Sequence, residues 1–280
     1  MRRRCAVINL FNYVDRPSPI HKLTGATKLV CMLLWSFASM VTYDTRILIV
    51  MPIIAIILFK VSKIKFSDVS FLLIATLIFM VLNNLTIYLF TPEHGVSIYG
   101  SRHLLFTIVG RYTVTAEQLF YHFNLVLKYL ASIPIILLFL CTTDPSEFAA
   151  SLNRIGVSYK IAYSVSLALR YIPDIQKEYE NISKSQQARG IEMSKKESLG
   201  KRLKAASAII IPLILSSMDR IEVISNAMEL RGFGKARTRT WYMERKFCKA
   251  DIASMVLCAL LLILAITDTA VMGTRFWSPF

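Results

Sequence analysis

SQQARG at residues 185–190 and AMELRG at residues 227–232 end two long helical patterns inside a polar block that runs from about Asp144 to Lys246. In both patterns apolar residues recur at steps of three and four, the spacing of one face of an α-helix. Glycine is a natural helix terminator, and arginine in a last helical turn interacts favourably with the helix dipole, by roughly 0.3–1 kcal/mol. Helix termination by glycine and the helix dipole therefore explain a single end of this kind without any further function. Two such ends suggest a site that binds a partner, because the planar guanidinium of arginine can donate two parallel hydrogen bonds to a carboxylate.

The composition of the chain is that of a membrane protein. Of its 280 residues, 55% are hydrophobic, and the mean hydropathy is +0.51, whereas soluble domains contain roughly 45–50% apolar residues. The formal charge of +15 is expected where cytoplasmic loops collect Lys and Arg. Nucleic-acid binding is not predicted, because no aromatic-basic module accompanies this charge.

Five apolar runs predict transmembrane helices, at residues 29–43, 47–59, 69–90, 116–141 and 252–272. The first two are shorter than the ~20 residues that a spanning helix needs. Basic clusters flank this pair on both sides and should be cytoplasmic, so both runs span the membrane or neither does. We expect both to span, with the N-terminus and the polar block in the cytoplasm. Residues 91–115 then form an outer loop whose Pro and Gly residues mark turns.

The predicted fold is therefore an all-α polytopic membrane protein with about five transmembrane helices and a cytoplasmic domain of amphipathic helices. Its parts are residues 1–143 with four transmembrane helices, residues 144–246 with the amphipathic helices, and residues 247–280 with the last transmembrane helix and a tail. Asp144 and Pro145 predict the start of a short helix within the polar block. The apolar faces of the later helices need a partner or lipid cover.

Polar residues within the apolar runs are interpreted structurally first. We expect Asn83 and Asn84 to bridge neighbouring helices. Lys128 is a functional candidate because ionisable residues are costly in a membrane, but a structural role, by pairing or by reaching the interface, is favoured. The five cysteines are scattered and show no CxxC, which favours free thiols. We expect no metal site.

We expect no catalytic site in this chain. The four His residues are dispersed, which argues against a membrane-embedded enzyme. The nearest approach to a phosphate-binding loop, residues 232–235, lacks both the leading Gly and the hydroxyl after Lys. Any energy must then come from another subunit. The alternative is a self-sufficient channel or secondary transporter, for which internal repeats or several intramembrane charges would be expected.

Motifs spread over most of the chain resemble the transmembrane (T) component of energy-coupling-factor (ECF) ABC transporters, which includes the cobalt-transport Q-type proteins. In sequence order the motifs are PIHKL at 19–23, TTDP at 142–145, LRYIP at 169–173, ARG at 188–190 and RGF at 231–233. Each is weak alone, and their shared order is specific. Leu230 departs from the family, which usually has Ala there, so we expect Arg231 to keep its role with altered packing around it.

This resemblance implies a subunit that joins two ABC-type ATPases to a small membrane protein that captures a vitamin or other micronutrient. ATP and Mg would be bound by the ATPases, and this chain would hold no cofactor. The implied ATPase-coupling residues are Ala188, Arg189, Gly190, Leu230, Arg231 and Gly232. The implied contact face for the substrate-binding (S) subunit is formed by Ile161, Val165, Leu169, Ile172, Ile210, Leu213, Ile221 and Ile224. The surrounding medium would be membrane lipid, and no nucleic acid would be a partner.

Overall fold

A computed structural model describes residues 18–109, 112–190, 199–236, 240–241, 245–271 and 276–277. The chain divides into two compact units. One comprises residues 1–144 together with 245–280, and the other comprises residues 145–244. The last predicted transmembrane segment thus lies in the same unit as the first four.

The first unit contains six helices and one β-hairpin within the described residues. They are α1 (Gly25–Val41), α2 (Thr45–Val61), α3 (Phe66–Phe90), α4 (His94–Tyr99), β1 (Leu104–Val109), β2 (Tyr112–Thr115), α5 (Ala116–Thr142) and α9 (Lys249–Val271). The second unit contains α6 (Pro145–Arg154), α7 (Tyr159–Ala188) and α8 (Leu199–Leu230). The predicted all-α class is confirmed, with the hairpin as an addition.

Hydrogen bonds between helices fix the direction of α1 and α9. The first turn of α1 meets the first turn of α9, where the backbone N–H of Thr24 donates to Asp251 Oδ1 at 2.9 Å. Their other ends also meet, through the parallel bridge between Tyr43 and Phe276. The two helices are therefore parallel.

The direction of α5 is opposite to that of α1. Lys28 at the start of α1 donates from Nζ to the carbonyl of Thr142 at the end of α5, at 2.8 Å. Further along, the indole Nε1 of Trp35 donates to the carbonyl of Ala131 at 2.9 Å. α5 thus ends where α1 and α9 begin.

The directions of α2 and α3 complete the alternation. Thr45, at the start of α2, donates to Asn124 Oδ1 near the start of α5 at 2.8 Å, so α2 and α5 run the same way. Asn84, near the end of α3, lies 2.8 Å from Nδ1 of His122 near the start of α5, so α3 runs against α5. The bridging role predicted for Asn84 is confirmed.

Small side chains let the helices of the first unit approach closely. The buried core contains Trp35, Met51, Ile135 and Cys258 together with four alanines, which are Ala38, Ala55, Ala131 and Ala265. Small residues are typical of interfaces between membrane helices, because association there depends on close packing. Lys128 donates to the carbonyl of Met40 at 3.1 Å and lies 3.4 Å from the ring centre of Tyr43. These contacts are the kind of pairing that the favoured structural role predicts.

Three of the described helices are long and apolar enough to cross a membrane, namely Val69–Phe90 within α3, and α5 and α9 over their full lengths. Both α1 and α2 have 17 residues, or roughly 25 Å at the α-helical rise, somewhat less than the ~30 Å hydrocarbon core. A membrane-embedded helical protein is confirmed, and the count of five spans stays a prediction.

The segment at 91–115 is more ordered than the predicted turn-rich loop. Gly95 was expected to mark a turn, but it lies inside α4, where a Cβ atom would come within 2.6 Å of the backbone carbonyl of Glu117. Its hydrogen side chain is thus needed for close packing of α4 on α5. The buried carboxylate of Glu117 in turn accepts hydrogen bonds from Ser101 Oγ at 3.0 Å and from the backbone N–H of His103 at 3.0 Å. These long-range contacts order the segment, and short-range turn signals do not reveal them.

Candidate functional site

The first Arg-Gly pair forms a capped helix end. α7 ends at Ala188, and Arg189 is the cap residue, whose backbone N–H donates to the carbonyls of Ser185 and Gln186. Gly190 follows with φ of +85°, a left-handed conformation that side chains with a Cβ atom disfavour. The chain therefore turns away directly after Arg189, as the sequence predicts.

The second Arg-Gly pair ends α8 with a complete Schellman motif. The backbone N–H of Phe233 donates to the carbonyl of Met228, and that of Gly232 donates to the carbonyl of Glu229, both at 2.9 Å. Gly232 has φ of +67°. Arg231 is again the cap residue between the last helical turn and the left-handed glycine.

A third helix end shows what is particular about the first two. α6 also ends on a left-handed glycine, Gly156, with the same pattern of hydrogen bonds from Val157 to Leu152. Its cap residue is Ile155, so the backbone motif does not itself require arginine. The arginines at the ends of α7 and α8 are a separate feature of the sequence.

The predicted coupling residues lie at the surface of the second unit. Ala188, Arg189, Gly190 and Arg231 are exposed, and Gly232 is half-buried. Leu230, at the position where the resemblance noted above implies Ala, is 89% exposed. The bulkier side chain thus points into solvent and does not disturb the packing of α8.

The two arginine ends lie far apart because α7 and α8 are antiparallel. Gln186 near the end of α7 donates from Nε2 to the carbonyl of Ala208 in the first third of α8, at 3.1 Å. Farther along, Arg220 Nη2 lies 2.7 Å from Glu178 Oε2. The end of α8 therefore lies beside the start of α7. With the α-helical rise, this register separates Arg189 from Arg231 by roughly 40 Å along the pair.

A cleft of about 640 Å³ opens between α7 and α8. Of the predicted S-subunit contact residues, Ile221 and Ile224 line it. The α7 side of the cleft is formed chiefly by Leu167, Ala168, Tyr171 and Ile175. These four residues were not among the predicted contact residues, although Ile175 follows the predicted Ile172 by three positions, a helical spacing.

The other predicted contact residues are not brought together in this cleft. Ile161 and Ile210 are exposed, and Val165, Leu169, Ile172 and Leu213 are half-buried. α7 carries apolar residues on more than one side, and a one-residue offset rotates a helix by about 100°. Periodicity alone could not select the side that faces α8.

An aromatic cluster joins the end of α8 to the start of α7. The ring centres of Phe233 and Tyr163 are 4.9 Å apart, and those of Phe233 and Tyr159 are 5.6 Å apart. Trp241 lies 6.5 Å from Tyr163. Phe233 follows the second Arg-Gly pair in the RGF motif, and the motif alone does not predict this ring contact.

Comparison with known proteins shows the relationships of the chain. The family model described as "Cobalt transport protein" matches residues 16–242, which include both Arg-Gly ends. The chain belongs to this family. The match includes the capped ends of α6, α7 and α8 and stops before α9.

Three relatives of the chain share one name. The energy-coupling factor transporter transmembrane protein EcfT of Bacillus selenitireducens is 30% identical over 276 residues, covering 94% of this chain and 96% of the relative. The protein of the same name from Bacillus subtilis is 25% identical over 263 residues, covering 89% and 95%. That from Heliobacterium modesticaldum is 29% identical over 253 residues, covering 88% and 93%. The predicted T-component identity is confirmed, and the chain is a membrane subunit of an ECF transporter.

Proposed function

We propose that this energy-coupling subunit passes conformational changes of two ABC-type ATPases to a small membrane protein that binds a vitamin or another micronutrient. In this proposal ATP and Mg are held by the ATPases, and this chain catalyses no reaction. Its family membership supports a transport role and does not favour a self-sufficient channel or carrier. The cargo is recognised by the substrate-binding subunit.

The observation that carries the proposal is the pair of exposed, capped arginines at opposite ends of the α7–α8 pair. Each arginine ends a helix and precedes a left-handed glycine, so its backbone conformation is defined while its side chain is exposed. The planar guanidinium suits recognition of a carboxylate. Two similar ends roughly 40 Å apart fit two copies of one partner. Carboxylates on each ATPase would be the matching chemistry.

The apolar residues of α7 and α8 support contact with the S subunit. Ile221 is 64% exposed, and Ile210 is 48% exposed. Side chains of this kind are stabilised by lipid or by an apolar partner. We propose that the S subunit covers part of this surface and membrane lipid covers the rest.

The test is the double substitution Arg189→Ala with Arg231→Ala. We expect it to abolish co-purification of the ATPases or ATP-dependent uptake. Both guanidinium groups are lost, while the glycines still cap the two helices. The control is Lys177→Ala, which removes an exposed cation from the middle of α7, away from both arginine ends. Normal uptake by the arginine variant would refute the proposal.

Purification tests the alternative function. We expect the chain to be isolated with two ATPases and a small membrane protein. Substrate transport by the purified chain alone in liposomes would favour the channel or carrier.

A further inference from the structure

The residue that follows the second Arg-Gly pair, Phe233, makes contacts that the first pair does not show within the described residues. Its backbone N–H closes the Schellman motif of α8 by donating to Met228. Its ring lies against Tyr159 and Tyr163, in the first turn and a half of α7. The same residue thus belongs to the Arg231 end by its backbone and to α7 by its side chain.

The aromatic cluster of Tyr159, Tyr163, Phe233 and Trp241 is also fixed to the loop before α7. The indole Nε1 of Trp241 donates to Asn153 Oδ1 at 3.1 Å. Asn153 Nδ2 in turn donates to the carbonyl of Val157 at 2.9 Å. The start of α7 is therefore held from the side of α6 as well as from the end of α8.

The geometry of the rings suits a contact that resists displacement. Phe233 and Tyr159 are inclined at 68°, and Phe233 and Tyr163 at 45°. Inclined aromatic pairs at such separations are worth about 0.5–1.5 kcal/mol each beyond area burial. The ring of Phe233 meets two partners one helical turn apart, so both sliding along α7 and rotation about it would break a contact.

We propose that Phe233 is a positioning residue that links the Arg231 end to the start of α7, so that α7 receives the movement of both ATPases. This inference rests on the proposed function. α7 ends at Arg189, where the first ATPase would act directly. At its start, the second ATPase would act through Arg231, the rigid cap of α8 and the ring of Phe233.

The test is Phe233→Ala in the full complex. Both arginines remain, so we expect the amount of co-purified ATPase to stay unchanged. We expect substrate uptake per ATP hydrolysed to fall about tenfold, the change that ~1.4 kcal/mol of lost coupling produces. Phe233→Tyr keeps the ring and should restore uptake, since residue 233 is only half-buried. Val223→Ala, at an exposed position of α8 outside the cluster, is the control and should behave as the unchanged protein.

A covalent link provides a second measurement that does not depend on the alanine variant folding well. In Tyr163→Cys with Phe233→Cys, the rings are lost and we expect uptake per ATP to fall. Joining the two thiols with a short bifunctional maleimide should restore it, because the reagent replaces the contact. The unchanged protein treated with the reagent controls for the natural cysteines.

Three outcomes would overturn the inference. They are normal coupling in Phe233→Ala, loss of the ATPases from that variant, and a cross-linked pair that stays uncoupled. Loss of the ATPases would show that Phe233 takes part in binding them. Failure of the proposed function would appear separately, as normal uptake in the arginine double variant.

Discussion

At the scale of single residues, Asp251 shows how one carboxylate joins two helices. Oδ2 accepts the backbone N–H of Cys248 at 2.7 Å, which caps the start of α9. Oδ1 accepts the backbone N–H of Thr24 at 2.9 Å and its hydroxyl at 3.3 Å, which caps the start of α1. Both helix dipoles present their positive ends to this buried negative charge, which stabilises it. Asp251 therefore fixes α1 and α9 side by side and in register.

Replacing Asp251 by Asn tests this arrangement. The amide keeps only one oxygen, so its NH2 group would face a backbone N–H donor and one hydrogen bond would be lost. We expect a destabilisation of about 1–3 kcal/mol, measured as a lower thermal unfolding midpoint in detergent. Asp219→Asn, on the exposed side of α8, is the matched control. Equal midpoints for the two variants would contradict the capping role.

At the scale of elements, a polar contact connects α7 and α8 beside the cleft. The carboxylate of Glu178 accepts a hydrogen bond from the hydroxyl of Ser216 and pairs with Arg220 at 2.7 Å. The guanidinium of Arg220 also lies 5.8 Å from the ring centre of Tyr171. Only 19% of the Glu178 side chain is exposed, so this pair is less screened by water than a surface ion pair. It holds the two helices in one register.

Glu178→Ala should therefore loosen the α7–α8 pair. We expect a loss of at least about 1.5–3 kcal/mol, the value of one hydrogen bond to a charged group, seen as faster amide hydrogen exchange in both helices. Glu180→Ala is the control, because Glu180 pairs with Lys184 at 3.5 Å on the exposed side of α7. Such surface pairs contribute about 0.2–1 kcal/mol. Equal exchange in the two variants would show that apolar packing alone sets the register.

At the scale of the whole molecule, basic residues are unevenly distributed between the two ends of the helices in the first unit. At the end where α1 and α9 begin, the described basic residues are Lys22, Lys28, Lys60, Lys63, Lys65, Arg245, Lys246 and Lys249. Toward the other end lie Arg46, Arg102 and Lys128. Since Lys and Arg collect on the cytoplasmic side, we expect the first end to be cytoplasmic and the β-hairpin to be outside.

Cysteine labelling in intact cells tests this orientation. Arg102→Cys should react with a membrane-impermeant maleimide, because this side chain is about half exposed near the hairpin. Lys63→Cys, exposed between α2 and α3, should react only after the cells are opened. The unchanged protein gives the background of the natural cysteines. Labelling of residue 63 in intact cells would reverse the proposed orientation.

The membrane helices alternate in direction, in the order α1, α2, α3, α5 and α9. This agrees with the prediction from the basic clusters that successive apolar runs cross the membrane in opposite directions. α5 ends where α9 begins, so the polar block leaves the first unit and returns to it at the same end, as the hydrogen bonds of Lys28 and Thr24 require. The sequence could predict this alternation because each apolar run is local. It could not predict which helices touch, and α9 proved to pack against α1.

Local chemistry determined much of this protein. Apolar runs define the membrane helices, and the glycines at 190 and 232 end α7 and α8, because hydropathy and left-handed backbone conformations act over a few residues. Long-range packing decided the rest. Which side of α7 faces α8, the ordering of residues 91–115 around Glu117, and the contact of Phe233 with Tyr163 all depend on surfaces far apart in sequence. Neither periodicity nor spacing encodes such contacts, because several helix faces are apolar enough to pack and only the assembled chain selects among them.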